Sequence, residues 1–164
     1  EDLFGGGTFE DEEDSGGLFA SSSWQFGIPR NSQGIAAHSG TNCWATNLGN
    51  NPVDLAFTDL ITPAISLVGG NQATLRWWQF FDFSSLGGGG EDDPFGDIHI
   101  EAGQVALSTD NGATWKDIYA LSEESSFGEW EEVEVNISKY AGKVVRIRFN
   151  YQLFSFSTVM EYSS

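Results

Sequence analysis

The sequence Ser-Thr-Asp-Asn-Gly-Ala-Thr-Trp, residues 108–115, separates two stretches in which apolar and polar side chains alternate. It fits the pattern S-x-D-x-G-x-T-W, whose fixed positions are Ser108, Asp110, Gly112, Thr114 and Trp115. Asp and Gly tolerate the left-handed backbone of a tight hairpin, and an Asp carboxylate accepts hydrogen bonds from the amides of its own turn. The stretch therefore predicts a structural turn between two antiparallel strands, which Thr114 reinforces and which the large apolar ring of Trp115 anchors.

The alternation on both sides of this turn extends over much of the chain. The stretches with a two-residue period are 73–83, 97–108, 114–120, 133–137 and 144–153. No stretch of convincing length shows the 3.6-residue period of an amphipathic helix. A single copy of the turn motif excludes a complete propeller, which needs several blades of roughly 40 residues. The sequence predicts one all-β domain over residues 1–164, an antiparallel β-sandwich with flexible segments at 1–8 and 84–96.

The chain is strongly acidic, because 24 Asp and Glu side chains face 7 Lys and Arg side chains, for a formal net charge of −17. This field repels nucleic acid and anionic membranes, so neither is expected as a partner. No apolar run approaches the ~18 residues that span a bilayer, and we expect no membrane insertion. The acid excess fits a solvated surface, Ca²⁺ binding or a salt-adapted source, and the charge alone does not separate these. Cys43 is the single cysteine, which excludes an intrachain disulfide.

One predicted strand carries acids in a pattern that raises the question of catalysis. Asp97, His99 and Glu101 occupy alternate positions and therefore share one face of the strand. A retaining glycosidase needs two carboxyls about 5 Å apart, whereas positions i and i+4 of an ideal strand lie roughly 13 Å apart. We therefore interpret these residues as the polar outer face of a strand, and a glycosidase that uses Asp97 and Glu101 is the enzyme alternative. Neither His38 nor His99 lies in a motif typical of a catalytic triad, so we expect no catalytic residue.

The order of several short motifs along the chain resembles a known kind of secreted module. The motifs are F-E at 9–10, W-Q-F-G-I-P at 24–29, H-S-G at 38–40, C-W-A-T-N-L at 43–48, L-I-T-P-A-I at 60–65, the 108–115 turn, Trp130, I-S-K-Y-A-G at 137–142 and V-R-I-R-F at 145–149. Over about residues 9–154 this order is similar to the MAM-like jelly-roll domain of secreted bacterial proteases of the bacillopeptidase F and immune inhibitor A kind. The 108–115 stretch by itself resembles the Asp-box hairpin. The family's closing G-W-x-I-D-D segment is not found in 154–164, so the resemblance implies that its last strand is not part of this sequence.

The resemblance implies a jelly-roll sandwich that serves as a non-catalytic extracellular module of a larger secreted protein. Its partners would be other domains of the same polypeptide, a glycan or a cell-surface protein. The resemblance also implies a structural Ca²⁺, an ion that takes six to eight oxygen ligands, and it places Glu10 at the first-strand acid that approaches the ion. Asp97 is the second candidate ligand, because it precedes the strand that leads to the turn, and Asp82 is a weaker one.

The six tryptophans divide into two groups. Four of them fall on core positions of the resembling family and are expected in the core: Trp24, Trp44, Trp115 and Trp130. Trp77 and Trp78 are consecutive, so a strand sends their side chains to opposite faces. An exposed member of this pair would be the ligand-binding residue of a carbohydrate-binding module, which is the alternative function.

Overall fold

The computed structural model describes residues 19–20, 24–30, 34–46, 48, 57–83, 86–87, 98–122, 125–126 and 128–156. Within them lie the strands β1 (Phe19–Ala20), β2 (Gln25–Gly27), β3 (Cys43–Ala45), β4 (Phe57–Ile61), β5 (Ile65–Ser66), β6 (Thr74–Gln79), β7 (Leu86–Gly87), β8 (Ile98–Ser108), β9 (Lys116–Ser122), β10 (Glu131–Asn136) and β11 (Val144–Phe156). One turn of 3₁₀ helix, Ser138–Tyr140, joins β10 to β11. No helix among the described residues is long and apolar enough to cross a bilayer.

All the strand pairs in the described residues are antiparallel, which confirms the predicted all-β antiparallel fold. The larger sheet has the order β1-β4-β11-β8-β7, while β5 also pairs with β11 and β9 with β8. Two smaller sheets are formed by β10 with β6 and by β2 with β3. The longest strand, β11, has thirteen residues and pairs with β8 from Arg146 opposite Ser108 to Phe156 opposite Ile98.

The core lies between the β6–β10 sheet and the β8–β11 part of the larger sheet. Its buried side chains are Leu75, Trp77, Val105, Leu107, Val133, Ile137, Tyr140, Val145 and Ile147. They alternate along each strand, as the two-residue period of the sequence predicts, because successive side chains of a strand point to opposite faces. Burying one Leu or Ile side chain stabilises the fold by about 1.5–3 kcal/mol. The β6–β10 sheet and the larger sheet therefore pack face to face as a β-sandwich.

Strand β6 and segment 84–96 both differ from what the sequence predicts. Strand β6 ends at Gln79, and the next residues bond to a short segment instead: the Phe81 amide donates to Ser126 Oγ at 3.2 Å, and the Ser126 amide donates to the Phe81 carbonyl at 2.9 Å. Within the segment 84–96, Leu86 and Gly87 form β7 and pair with β8. The rest of that segment, apart from these two residues, and segment 1–8 lie outside the described residues.

Candidate functional site

The turn between β8 and β9 is built around the buried hydroxyl of Ser108, which is 1% exposed. This hydroxyl donates a hydrogen bond of 2.7 Å to Asp110 Oδ1. It also accepts hydrogen bonds from the amides of Gly112, at 2.8 Å, and of Asp110, at 3.3 Å. Asn111 and Gly112 have φ values of 61° and 95°, in the left-handed region that a tight turn requires. One side chain thus satisfies two amides that the hairpin leaves unpaired.

The carboxylate of Asp110 closes the same turn from its other end. Its Oδ1 accepts the Thr114 amide at 2.9 Å, and its Oδ2 accepts the Thr114 hydroxyl at 2.6 Å. Hydrogen bonds to the carboxylate lower the pKa of Asp110 to about 2. The largest effect comes from the Thr114 hydroxyl, followed by the Thr114 amide and the Ser108 hydroxyl. The acid is therefore ionised at neutral pH, and both of its oxygens bind within the turn. This arrangement stabilises a local structure and presents no reactive group.

Two arginines of β11 connect the turn to the larger sheet. Arg146, which lies opposite Ser108, donates from Nε to Asn111 Oδ1 at 2.8 Å. The guanidinium carbon of Arg148 lies 4.8 Å from the centre of the Trp115 ring, a cation–π contact. Trp115 was expected in the core, but it is half-buried outside the core cluster, and the Arg148 guanidinium lies over its ring. Contacts with Arg146 and Arg148, outside the core, therefore stabilise the turn.

The predicted Ca²⁺ ligands are only partly within the described residues. Glu10 and Asp97 lie outside them. Asp82 is exposed and forms an isolated bridge with Ser125. No group of three or more His, Cys, Asp or Glu side chains in the described part of the chain could hold a metal ion. The predicted ligands Glu10 and Asp97 therefore stay predictions.

Of the two acids of the predicted enzyme alternative, Glu101 occupies a different face from the one the sequence indicated. Glu101 alternates with Gly103, Val105 and Leu107 along β8, and the last two are core residues, so its face is the inner one. The interpretation of Glu101 as an outer-face residue is therefore wrong. The hydroxyl of Tyr151 donates a hydrogen bond to Glu101 Oε1 on this inner face. Burial, and then this bond, raise the pKa of Tyr151 above its ordinary value. The second carboxyl of a glycosidase, Asp97, lies outside the described residues.

Trp77 and Trp78 lie on opposite faces of β6. Trp77 is 8% exposed, and its Nε1 donates to Gln79 Oε1 at 2.9 Å. Its ring packs edge-on against Tyr119 and Phe149, at centroid distances of 5.2 Å and 5.7 Å. Trp77 is thus a core residue and has no surface for a ligand. Trp78, by contrast, is 43% exposed on the outer face of the β6–β10 sheet.

The ring of His38 lies flat on Trp78, with a centroid distance of 3.9 Å and an interplanar angle of 14°. Trp130 meets His38 at 6.0 Å edge-on and Phe80 at 5.8 Å. We call these four rings, with the flanking side chains of Arg76 and Glu132, the Trp78 surface. No local sequence pattern connects His38 with Trp78.

Charged side chains lie beside the rings of the Trp78 surface. Glu132 is the cross-strand partner of Trp78, and Glu134 is the partner of Arg76. Arg76 Nε lies 3.2 Å from Glu132 Oε1, and Arg76 also contacts Glu134 through Nη2. Trp130, expected in the core, is half-buried, as are Trp24 and Trp44. The Trp78 surface therefore combines an exposed aromatic ring with hydrogen-bonding groups.

Comparison with known proteins finds a distant, partial similarity. No protein-family model matches the chain. The chain is similar to bacillopeptidase F of Bacillus subtilis (strain 168), with 27% identity over 140 residues. These residues are 84% of this chain and 9% of bacillopeptidase F, so the chain spans a small part of that protein's length. The similarity indicates a distant relationship to part of a protein named as a peptidase.

Proposed function

We propose that this chain is a non-catalytic, MAM-like accessory module of a larger secreted polypeptide. It would pack beside another domain of that polypeptide, or bring that domain to a protein or glycan at a cell surface. The observation that carries the proposal is the proportion of the match, since most of this chain corresponds to 9% of a much longer peptidase. A two-sheet sandwich with its own core is the kind of unit that folds independently within a longer chain.

The proposal includes a structural Ca²⁺ held by Glu10 and Asp97, with Asp82 as a weaker ligand. A net charge of −17 destabilises the compact state through self-repulsion, and a divalent cation bound between two acids would relieve part of it. Such a site would also fasten the N-terminal segment to the sandwich. The support for this part is the charge together with the resemblance.

In-frame removal of the segment from the gene of its parent polypeptide tests the accessory role. The secreted product should keep its turnover number on a soluble substrate and lose stability or retention at the cell surface. A product that keeps all three properties would contradict the proposal. The isolated segment 1–164 should hydrolyse neither casein nor β-glucan. Hydrolysis of β-glucan that Glu101→Gln abolishes would instead establish the glycosidase alternative.

A second candidate function, carbohydrate binding, is favoured by the exposure of Trp78. Sugar rings present C–H faces that pack on indole, and an exposed tryptophan flanked by polar side chains suits them. This function belongs to the same kind of module, because binding a glycan is one way to bring a neighbouring domain to a surface. The two candidates differ in whether the isolated segment has a ligand of its own.

A further inference from the structure

We infer that the Trp78 surface is a binding site for an uncharged pyranose ring of a polysaccharide, with His38 as the residue that positions the Trp78 indole. The inference rests on the carbohydrate-binding candidate above and assigns it residues and a ligand class. Trp78 supplies the stacking face, Arg76 and Glu132 supply hydrogen bonds to hydroxyl groups, and Trp130 holds the segment that carries His38.

The first step concerns the Trp78 ring itself. His38 covers one face of the indole at a centroid distance of 3.9 Å, and yet the side chain remains 43% exposed. The exposed part therefore belongs to indole surface that His38 does not cover. Because the stacked His38 ring already restrains the indole, Trp78 loses little conformational freedom when a ligand binds to the uncovered indole surface. This reduces the entropic cost of binding.

The second step explains how His38 is held in place. His38 belongs to the segment 34–46, which includes β3. This segment is far from β6 in the sequence. The indole Nε1 of Trp130 donates to the Ala36 carbonyl at 3.0 Å and so fastens this segment to the residue before β10. The Trp130 ring also meets His38 edge-on at 6.0 Å. Trp130 is thus a positioning residue for the stack.

The third step concerns the polar groups beside the ring. Glu132 faces Trp78 across the β6–β10 pair, and directly opposed side chains of such a pair lie about 5 Å apart. Arg76, whose side chain is 58% exposed, contacts Glu132 and Glu134 and has five N–H donors in all. Carboxylate acceptors and guanidinium donors therefore lie within reach of the hydroxyl groups of a sugar stacked on Trp78.

The fourth step selects the class of ligand. A protein partner would need roughly 800 Å² of surface with an apolar centre. Four large apolar side chains are exposed in the described part of the chain, and Trp78 is the one on β6; the others are Ile28, Val68 and Val144. One ring among charges is too small for a protein interface and is large enough for a sugar. The net charge of −17 repels acidic polysaccharides, which leaves an uncharged one.

Native affinity electrophoresis of the chain 1–164 tests the inference. The probes are the uncharged polysaccharides laminarin, xyloglucan and starch, the acidic polygalacturonate, and poly-L-lysine. At least one uncharged polysaccharide should retard the protein, and polygalacturonate should not. Titration calorimetry should show that Trp78→Ala weakens binding about 10-fold or more, that Trp78→Phe weakens it less, and that His38→Ala weakens it without unfolding the protein.

Val144→Ala is the matched control, since it removes another exposed apolar side chain, on β11, and should leave binding unchanged. Failure of all three uncharged polysaccharides to retard the protein would overturn the inference. Equal retardation of Trp78→Ala and the parent protein would overturn it too, and retardation by poly-L-lysine alone would assign the surface to a basic peptide. Trp78→Ala in the full polypeptide separates the two proposals: if removal of the segment abolishes surface retention and Trp78→Ala does not, the accessory role stands and the sugar site falls.

Discussion

Thr114 occupies both oxygens of the Asp110 carboxylate, with its amide at 2.9 Å from Oδ1 and its hydroxyl at 2.6 Å from Oδ2. Thr114, four residues after the acid, therefore supplies one hydrogen-bond donor to each carboxylate oxygen. The pKa of this exposed acid therefore depends on whether the turn is folded.

The first prediction follows from the pKa of Asp110, which these bonds lower from 3.8 to about 2. A depressed folded-state pKa gives stability that is present above the unfolded pKa and lost as the pH falls through the folded one. At pH 6 the melting temperature of the Asp110→Asn variant should therefore be lower than that of the unsubstituted chain. The difference should shrink between pH 4 and pH 2, as measured by calorimetry. Asp117→Asn, an exposed acid on β9, is the control; a gap that stays constant down to pH 2 would contradict the prediction.

The second prediction concerns the buried hydroxyl of Ser108. Ser108→Ala removes the acceptor for the Gly112 amide and the donor to Asp110, and leaves polar groups without partners. The free energy of unfolding should fall by about 1–3 kcal/mol, as urea titration measures it. Thr109→Ala, at the exposed neighbouring position, should change it little. Equal effects of the two substitutions would show that the hydroxyl does not hold the turn.

The third prediction concerns Cys43, which is half-buried in β3. Burial raises the pKa of its thiol from 9.0 to about 11, so the thiolate fraction at pH 8 should be about 100-fold smaller than in the unfolded chain. Alkylation by iodoacetamide, followed by mass spectrometry, should be at least that much slower in the native protein than in urea. The native rate should rise with pH up to about 11. A native rate at pH 8 equal to that in urea would show that the thiol is not desolvated.

The fourth prediction is the dependence of stability on Ca²⁺. Millimolar Ca²⁺ should raise the melting temperature of chelator-treated protein by several degrees, because a ligand at 100 times its dissociation constant stabilises the native state by about 2.7 kcal/mol. Glu10→Gln and Asp97→Asn should each reduce the rise, and Asp117→Asn should not. An equal rise with Na⁺ at matched ionic strength would mean that charge screening alone is responsible.

The sequence predicts local features of this fold more completely than distant ones. The turn and the alternation of β6, β10 and β11 follow from short-range patterns, and the β-sandwich follows from them. The face to which Glu101 points did not follow, because alternation separates two faces without saying which is inner. A hydrogen-bond donor to that acid, Tyr151, lies on β11, far from it in the sequence. The end of β6 at Gln79 likewise depends on Ser126, whose bonds to Phe81 replace a continued pairing with β10.

The candidate site shows the same division. The pair Trp77 and Trp78 predicts two indoles on opposite faces of a strand, and local alternation suffices for that; which of them is buried depends on the packing of the sheets. His38 is separated from Trp78 by β3, β4 and β5, so its stacking on that ring depends on the course of the whole chain. Trp115 and Trp130 are large and apolar, which favours a core position, but Arg148 covers the first and the carbonyl of Ala36 binds the second outside it.

The position of β11 has a consequence for the order in which the chain acquires its structure. This strand lies in the middle of the larger sheet, between β4 and β8, and yet it is the last of the described strands to be synthesised. The hairpin of β8 and β9 closes through the 108–115 turn with neighbouring residues alone and is expected to form early. Phe149, however, must find Leu60 across the intervening part of the chain, which includes β5 to β10, and pairings of such sequence separation fold slowly. Until β11 arrives, β4 and one edge of β8 expose unpaired backbone, so self-association during refolding should be worst at high protein concentration.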